Sequence, residues 1–468
     1  MEEGKGPGRE RGRTALNYSV VHVSSIPPPT PGFHGPSVGV GTTRGKTVSP
    51  PNALYAQSGG VTAVINTTAR GVIEAVRRRR ARIGRLYAGR DGILGVLEER
   101  LIDTSRLTAS DLAILGELPG GVFGSCRYKL RTPEERPELY ARLLDVFAAH
   151  RIGYFFYNGG GDSQDTAQKV AAYAAARGYP LTVLGIPKTI DNDLPETDCA
   201  PGYGSVARYV AVSTWEAARD VASMASTSTR VFILEVMGRH AGWIAAAAGL
   251  VRRRAGDAPH LILFPERPFD EATFLERVRA TVAASGYCVI VASEGVRDGA
   301  GRFLAESGGR DAFGHVQLGG VAPRLAALVQ EKLGLKCHAA VADYLQRSAR
   351  HLASRTDLEL AGAVGRDAVR YALAGRNAEM VTIVRLSARP YRWRTGTVPL
   401  ERVANRERHL PDGFISADGF GITAAARRHL APFVVGDASP RTTDGLPPEV
   451  RLPLPPVRRR LQPFRAPR

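Results

Sequence analysis

From residue 51 onward short apolar runs alternate with longer amphipathic stretches, and that alternation more than anything else limits what the chain can become. The runs at 52–56, 153–157, 181–186, 230–236, 260–264 and 287–292 have the length and composition of strands. The stretches 165–176, 206–224, 241–251 and 270–284 carry helical spacing. Strand followed by helix, repeated, is the pattern of a parallel sheet covered on both faces. Several such pairs precede residue 200 and several follow it, which predicts an α/β protein of two doubly wound lobes with a cleft between them. The lobes are expected over 51–205, completed by part of 345–400, and over 206–344.

The two ends break the pattern. Residues 1–50 and 440–468 are rich in proline and lack apolar periodicity, as in Ile26-Pro-Pro-Pro-Thr-Pro31 and Leu452-Pro-Leu-Pro-Pro-Val-Arg-Arg-Arg460, so both are expected to be disordered. They hold six Lys/Arg against three Glu and seven Arg against two acids, so nearly half of the net charge of +18 sits in them. No basic stretch is interleaved with aromatics, which argues against nucleic acid and leaves a basic site for a small anion. Arg77–Arg80 closes an amphipathic segment and reads as a solvated helix C-terminus. With 468 residues, 44% hydrophobic, the chain has enough apolar material for two or three domains. It has no apolar run long enough to span a membrane and no signal-like start. Cys126, Cys199, Cys288 and Cys337 are scattered, without the spacing of a zinc site or a disulfide scaffold, and fit a reducing cytoplasm.

The chemistry falls on strand-to-helix turns. Gly185-Ile-Pro-Lys-Thr-Ile-Asp-Asn-Asp-Leu194 puts one cation, a hydroxyl and two carboxylates at the C-terminal end of a strand, where open α/β sheets bind ligands. Phosphoryl transfer needs a cation for developing charge and a carboxylate to take a proton. A plain polar turn would use similar residues, so the other turns carry weight. Gln57-Ser-Gly-Gly-Val61 opens a helix after a strand, and its glycines leave the backbone N–H groups open to a phosphate. Pro119-Gly-Gly-Val-Phe-Gly-Ser-Cys-Arg-Tyr-Lys129 adds Arg127 and Lys129. Asn158-Gly-Gly-Gly-Asp-Ser-Gln-Asp165 has three glycines, with Asp162, Ser163 and Asp165 where a helix cap would stand. Glu235-Val-Met-Gly-Arg-His240 presents Arg239 as an anion clamp, while His240 reads equally as a ligand or a hydrogen-bonded core residue.

Over residues 51–385 these segments resemble the phosphofructokinase family: Ile190-Asp-Asn-Asp193, Val236-Met-Gly-Arg239, Ser293-Glu294 and Tyr344-Leu-Gln-Arg347 match its motifs in order. The resemblance implies Rossmann-like lobes and transfer of a phosphoryl group to the 1-hydroxyl of fructose 6-phosphate. It makes Asp191 the general base, lets Thr189 position the hydroxyl or the migrating group, and gives Asp193 a supporting part. Met237, Gly238, Arg239 and Glu294 would hold the sugar, and Tyr344 with Arg347 its 6-phosphate. Arg230 looks like the family arginine that reaches a neighbouring subunit's site, so a homodimer or homotetramer is implied.

Two positions bear on the donor. ATP-using members carry glycine where this chain has Asp162 and Lys188, and both substitutions are those of the family's pyrophosphate-dependent branch. A carboxylate there occupies nucleotide space and repels the α-phosphate, while a lysine supplies charge to pyrophosphate. The donor set is then Gly60, Arg127, Gly161, Asp162, Ser163 and Lys188, with Mg2+ held by Asp191 or Asp162. Two departures stand out. Gly161 replaces a family Asp or Asn that helps hold Mg2+, and Asp343 replaces a glycine beside the sugar phosphate. Gly314-His315-Val-Gln-Leu-Gly-Gly320 resembles part of an ATP-type motif but lacks its arginine, and is read as a structural loop. An ATP-dependent 6-phosphofructokinase, or a catalytically weakened paralogue that binds sugar phosphate, are the alternatives.

Overall fold

The strands that frame the molecule are, in chain order, β1 (Asn52–Gln57), β2 (Leu86–Gly89), β3 (Leu101–Asp103), β4 (Ile152–Gly159), β5 (Thr182–Pro187), β6 (Val231–Val236), β7 (Leu261–Leu263), β8 (Cys288–Ser293), β9 (Cys337–Val341), β10 (Glu379–Ala388) and β11 (Tyr391–Pro399). They belong to a computed structural model that describes residues 49–310 and 316–467, with backbone alone at 307–310 and 316–317. Seven of them form one sheet in the order β11-β10-β5-β4-β1-β2-β3, and four form a second in the order β9-β6-β8-β7. The second sheet is parallel throughout. The first is parallel at its centre, but β3 and β11 run antiparallel at its edges. That edge arrangement lets the hairpin Glu379–Pro399 return from late in the chain and complete the first sheet through β10 and β5. Among the described residues no helix is long and apolar enough to cross a membrane.

All six strand expectations fall on observed strands, shifted by a residue or two at their ends. The missing strands are short, half-exposed or charged, as in Tyr391-Arg-Trp-Arg394, where alternation without a buried run gives little to read. The turn at 158–165 differs from expectation. The helix there runs Gly161–Ala176, so Asp162 and Ser163 lie in its first turn, and its N-cap is Gly160 with no side-chain cap. Asp165 binds Lys169 at 2.6 Å and the amide of Asn405 at 2.9 Å instead of capping. The C-terminal tail also departs from the reading of disorder. Val457 N–H donates to Leu101 O at 2.8 Å, Leu461 N–H reaches the buried Glu99 carboxylate at 3.1 Å, and Ala466 is buried in the first lobe's core. Such a segment has too little apolar surface for a core of its own, yet it satisfies its backbone on a surface already formed. The N-terminal expectation over 1–50 falls, but for its last two residues, outside the described residues.

One helix pair shows how tightly the first lobe is packed. The helices Ile65–Arg77 and Arg355–Leu373 cross at Gly71, Gly362 and Gly365. A Cβ at Gly365 would stand 2.2 Å from Thr68 O, and one at Gly71 would stand 2.5 Å from Gly362 O. Backbone approaches backbone there, which fixes the Gln57–Val61 turn ahead of the first helix.

Candidate active site

A cleft of about 1060 Å3 opens between the C-terminal ends of β1, β4 and β5 on one side and of β6 and β8 on the other. The decapeptide forms its floor. Leaving β5, the chain turns so that the Lys188 side chain is buried and its Nζ donates to Gly60 O at 2.8 Å. Burial drives the Lys188 pKa down to about 8; Arg127 and Arg347 push the same way and Asp191 opposes them. Thr189 Oγ donates to Asp191 Oδ2 at 3.3 Å and accepts from Asp191 N–H at 3.1 Å, which orients the carboxylate. Asn192 adopts a left-handed backbone with φ of 53°, and its buried amide oxygen accepts from Ala200 N–H at 2.9 Å. That residue therefore holds the turn rather than the ligand.

Burial pushes the Asp191 carboxyl upward against the Thr189 hydroxyl, Lys188 and Arg127. Asp193 is pushed upward by burial and then by the charges of Asp191 and Glu407, and its Oδ1 is buried without a hydrogen-bond partner. Two crowded carboxyls with an orphaned oxygen suit a proton or a hard divalent cation. Among the described residues no cluster of three or more His, Cys, Asp or Glu side chains assembles as a metal cage. Mg2+ is commonly held by one or two carboxylates with phosphates and water, and Asp191 with Asp193 offers carboxylates of that kind. Asp162 is less available for this part, since Lys129 Nζ stands 3.2 Å from its Oδ1.

Across the cleft, Gly238 has φ of 130°, its N–H points at Glu294 Oε1 at 3.4 Å, and its carbonyl accepts from Ser293 Oγ at 2.5 Å. Met237 N–H donates to Gln346 Oε1 at 3.2 Å. The Glu294 carboxyl is pushed up to about 7, first by burial and next by Asp191, against the pull of Gly238 N–H and Arg239. Arg347 lays its guanidinium 3.8 Å from the centre of the Tyr344 ring and leans over the Gly59-Gly60 turn, where a Cβ on Gly60 would meet Nη1 at 2.7 Å. Only glycine allows that approach. Gly161 is different: a Cβ there meets nothing nearer than Arg406 O at 3.9 Å, so sterics do not require glycine.

Arg127, Gly161, Asp162, Ser163, Lys188, Thr189, Asp191 and Asp193 thus share one cleft with Gly60, Met237, Arg239, Glu294, Tyr344 and Arg347, and Gly238 lies directly behind it. Arg230 does not join them. It precedes β6 at the end opposite Met237, about 20 Å away by the rise of a six-residue strand, and it is exposed. Asp343 lines the cleft with a left-handed backbone of φ 36°. His240 is neither core nor a bare anion ligand: its Nδ1 pairs with Glu407 at 2.8 Å. His315 lies outside the described residues.

Sequence reasoning missed one wall altogether. Asn405, Arg406, Glu407 and His409 line the cleft from a segment between the buried Val403 and Leu410. Five polar residues in a row, Asn405-Arg-Glu-Arg-His409, carried no periodicity and no glycine turn to mark them.

The sequence matches the family model described as Phosphofructokinase over residues 52–372. It is 57% identical over 414 residues to the pyrophosphate–fructose 6-phosphate 1-phosphotransferase of Halomonas elongata, covering 88% of this chain and 99% of that one. The protein of the same name from Methylococcus capsulatus is 58% identical over 401 residues, which is 86% of this chain and 96% of that protein. The crystal structure of a pyrophosphate-dependent phosphofructokinase from Marinobacter aquaeolei superposes with a TM-score of 0.81 at 54% identity, covering 88% of this chain and 99% of its own. With two lobes, a cleft at their strand ends and this degree of likeness, the chain belongs to the phosphofructokinase family.

Proposed function

We propose that this protein transfers a phosphoryl group from pyrophosphate to the 1-hydroxyl of fructose 6-phosphate, reversibly, giving fructose 1,6-bisphosphate and phosphate. The observation that carries the reading is the buried Lys188 ammonium, held on Gly60 O where the three glycine turns of the first lobe converge, with Asp162 and Lys129 paired beside it. Relatives of more than half identity bear the name of that activity. On this reading the first lobe takes the donor and the second the sugar phosphate.

The fructose 1-hydroxyl attacks one phosphorus of pyrophosphate in line; Asp191 accepts the hydroxyl proton, and the bond to the bridging oxygen breaks to release phosphate. A carboxyl raised by burial is a better proton acceptor than one in water, and the Thr189 hydroxyl keeps it aimed. Lys188 and Arg127 take up charge that develops on the donor oxygens. Asp191, with Asp193 behind it, would hold Mg2+, which supplies neutralising charge to the phosphates. Met237, Gly238, Arg239 and Glu294 grip the sugar, and Tyr344 with Arg347 its 6-phosphate. Arg230 completes the site of a neighbouring copy in a homodimer or homotetramer. All four cysteines are free, which supports a cytoplasmic home.

A coupled assay comparing donors tests the reading. Turnover of fructose 6-phosphate with pyrophosphate and Mg2+, and little with ATP, is expected. Equal or faster turnover with ATP overturns the donor assignment.

A further inference from the structure

Residues 403–410 lie beyond the span 52–372 that the family model matches, yet they touch both sides of the cleft and its floor. On the donor side Asn405 Nδ2 donates to Asp165 Oδ1 at 2.9 Å, and Arg406 O faces the space beside Gly161. Underneath, Arg408 N–H donates to Asp193 O at 2.6 Å and its guanidinium binds Asn192 O at 2.8 Å and Thr197 O at 2.5 Å. Its guanidinium carbon also stands 4.7 Å from the ring centre of Trp243. These contacts fix the segment to the decapeptide turn. On the sugar side it grips one residue twice. Glu407 accepts from His240 Nδ1, with its two oxygens at 2.9 and 2.8 Å, and His409 Nδ1 reaches His240 O at 2.9 Å. One residue on, Leu410 N–H shares Glu266 Oε1 with Gly242 N–H, at 2.9 and 2.8 Å.

His240 directly follows Arg239 in the turn that faces the sugar site. Within that turn Gly238 N–H bonds at long range to Glu294, Gly238 O accepts from Ser293 Oγ at 2.5 Å, and Met237 N–H bonds to Gln346, while the segment 405–410 adds its contacts one residue further on, at His240. The His240 and Glu407 side chains are 33% and 44% exposed, so the pair buries little and adds little to folding. Its placement at the cleft rim, anchored through Arg408 to the acid–base turn, is what a positional role requires.

We propose that the segment Asn405–His409 is a further wall of the active site, and that Glu407 is its positioning residue, tethering the Met237–Arg239 turn through His240 at the height at which it grips the sugar phosphate. This rests on the reading of the second lobe as the fructose 6-phosphate side. Glu407→Ala removes the tether, whereas Glu407→Gln keeps an oxygen that accepts from Nδ1–H. Both variants should melt with the wild type.

The alanine variant should raise KM for fructose 6-phosphate about tenfold, the upper end of what one ordinary hydrogen bond is worth, with KM for pyrophosphate within about twofold of wild type. The glutamine variant should recover most of the loss. An unchanged KM for fructose 6-phosphate, an equal rise in both KM values, or glutamine no better than alanine each overturns the tether. Calorimetric binding of fructose 6-phosphate to all three proteins separates the two ideas. A wild type that binds the sugar phosphate but does not turn over with pyrophosphate sinks the donor reading, and the tether is then judged on the variants' Kd. A wild type that binds no fructose 6-phosphate sinks both.

Discussion

At the scale of single residues, the decapeptide divides its labour between charge and geometry. With Asp191 as the proposed base, replacing it by Asn removes the proton acceptor and should lower kcat by on the order of 10² to 10⁴, with no loss of melting temperature because a buried carboxyl is traded for a neutral amide of the same shape. Lys188 gives a pH prediction with a definite sign. Its folded pKa of about 8 lies below the ordinary 10.5, so the cation is present at neutral pH and lost as pH rises through 8. kcat/KM for pyrophosphate should therefore fall on an alkaline limb near that value, and Lys188→Met should lower the plateau and erase the limb. The same shift runs the other way for folding. Burying the charged ammonium costs stability below 8, and the cost is relieved between 8 and 10.5, where the unfolded chain still binds the proton. A urea series across that window should show a stability contribution that rises with pH, and one that Lys188→Met removes. Both residues stood out in the sequence because a cation and carboxylates at a strand end have a physical reading. Glu407 did not, since a glutamate among arginines in a polar stretch looks like any solvated surface.

At the scale of elements, close backbone approach decides what the turns can do. Gly365→Ala gains the helix propensity of alanine, worth up to about 1 kcal/mol, but its Cβ would sit 2.2 Å from Thr68 O. Overpacking of that kind costs about 1–3 kcal/mol, so the variant should unfold at a lower temperature by calorimetry. Gly60→Ala should act without a large stability change: its Cβ displaces the Arg347 guanidinium and should raise KM for fructose 6-phosphate. The strands β1, β4, β5, β6, β7 and β8 were legible because buried parallel strands are near-continuous apolar runs. β2 and β3 were not, because four and three residues are too few to show a pattern; β9 and the β10–β11 hairpin were not, because exposed positions interrupt their apolar ones. The helix at Gly161–Ala176 was found, but its start was placed four residues late. Three glycines read as a loop, although the last of them opens the helix.

At the scale of the whole molecule, the tail and the proposed homo-oligomer each lead to a measurable outcome. Truncation before Leu452 strips the buried Glu99 carboxylate of the N–H donors of Arg460 and Leu461, leaving His150 Nε2 at 2.7 Å as a remaining partner. Losing such bonds to a buried charge should destabilise the protein by about 1.5–3 kcal/mol while the cleft, which no described residue of the tail lines, keeps its KM values. Arg230 is tested by mixing. If it serves a neighbouring copy, Arg230→Ala and Asp191→Asn proteins, each nearly inactive, should regain activity when dissociated and reassociated together, because a hybrid contains sites with both native residues. Mixtures that stay at the sum of their parts would assign Arg230 to the surface.

The sequence by itself determined the reaction class and the two-lobed α/β architecture, since strand-end motifs and buried strands are local patterns that survive in one dimension. Only the tertiary structure decided that the wall Asn405–His409 closes the cleft, that Lys129 occupies Asp162, and that a proline-rich tail docks on Glu99. Those three depend on groups brought together across 33 to more than 360 positions of chain, where a side chain's partner is set by packing and burial rather than by its neighbours in sequence.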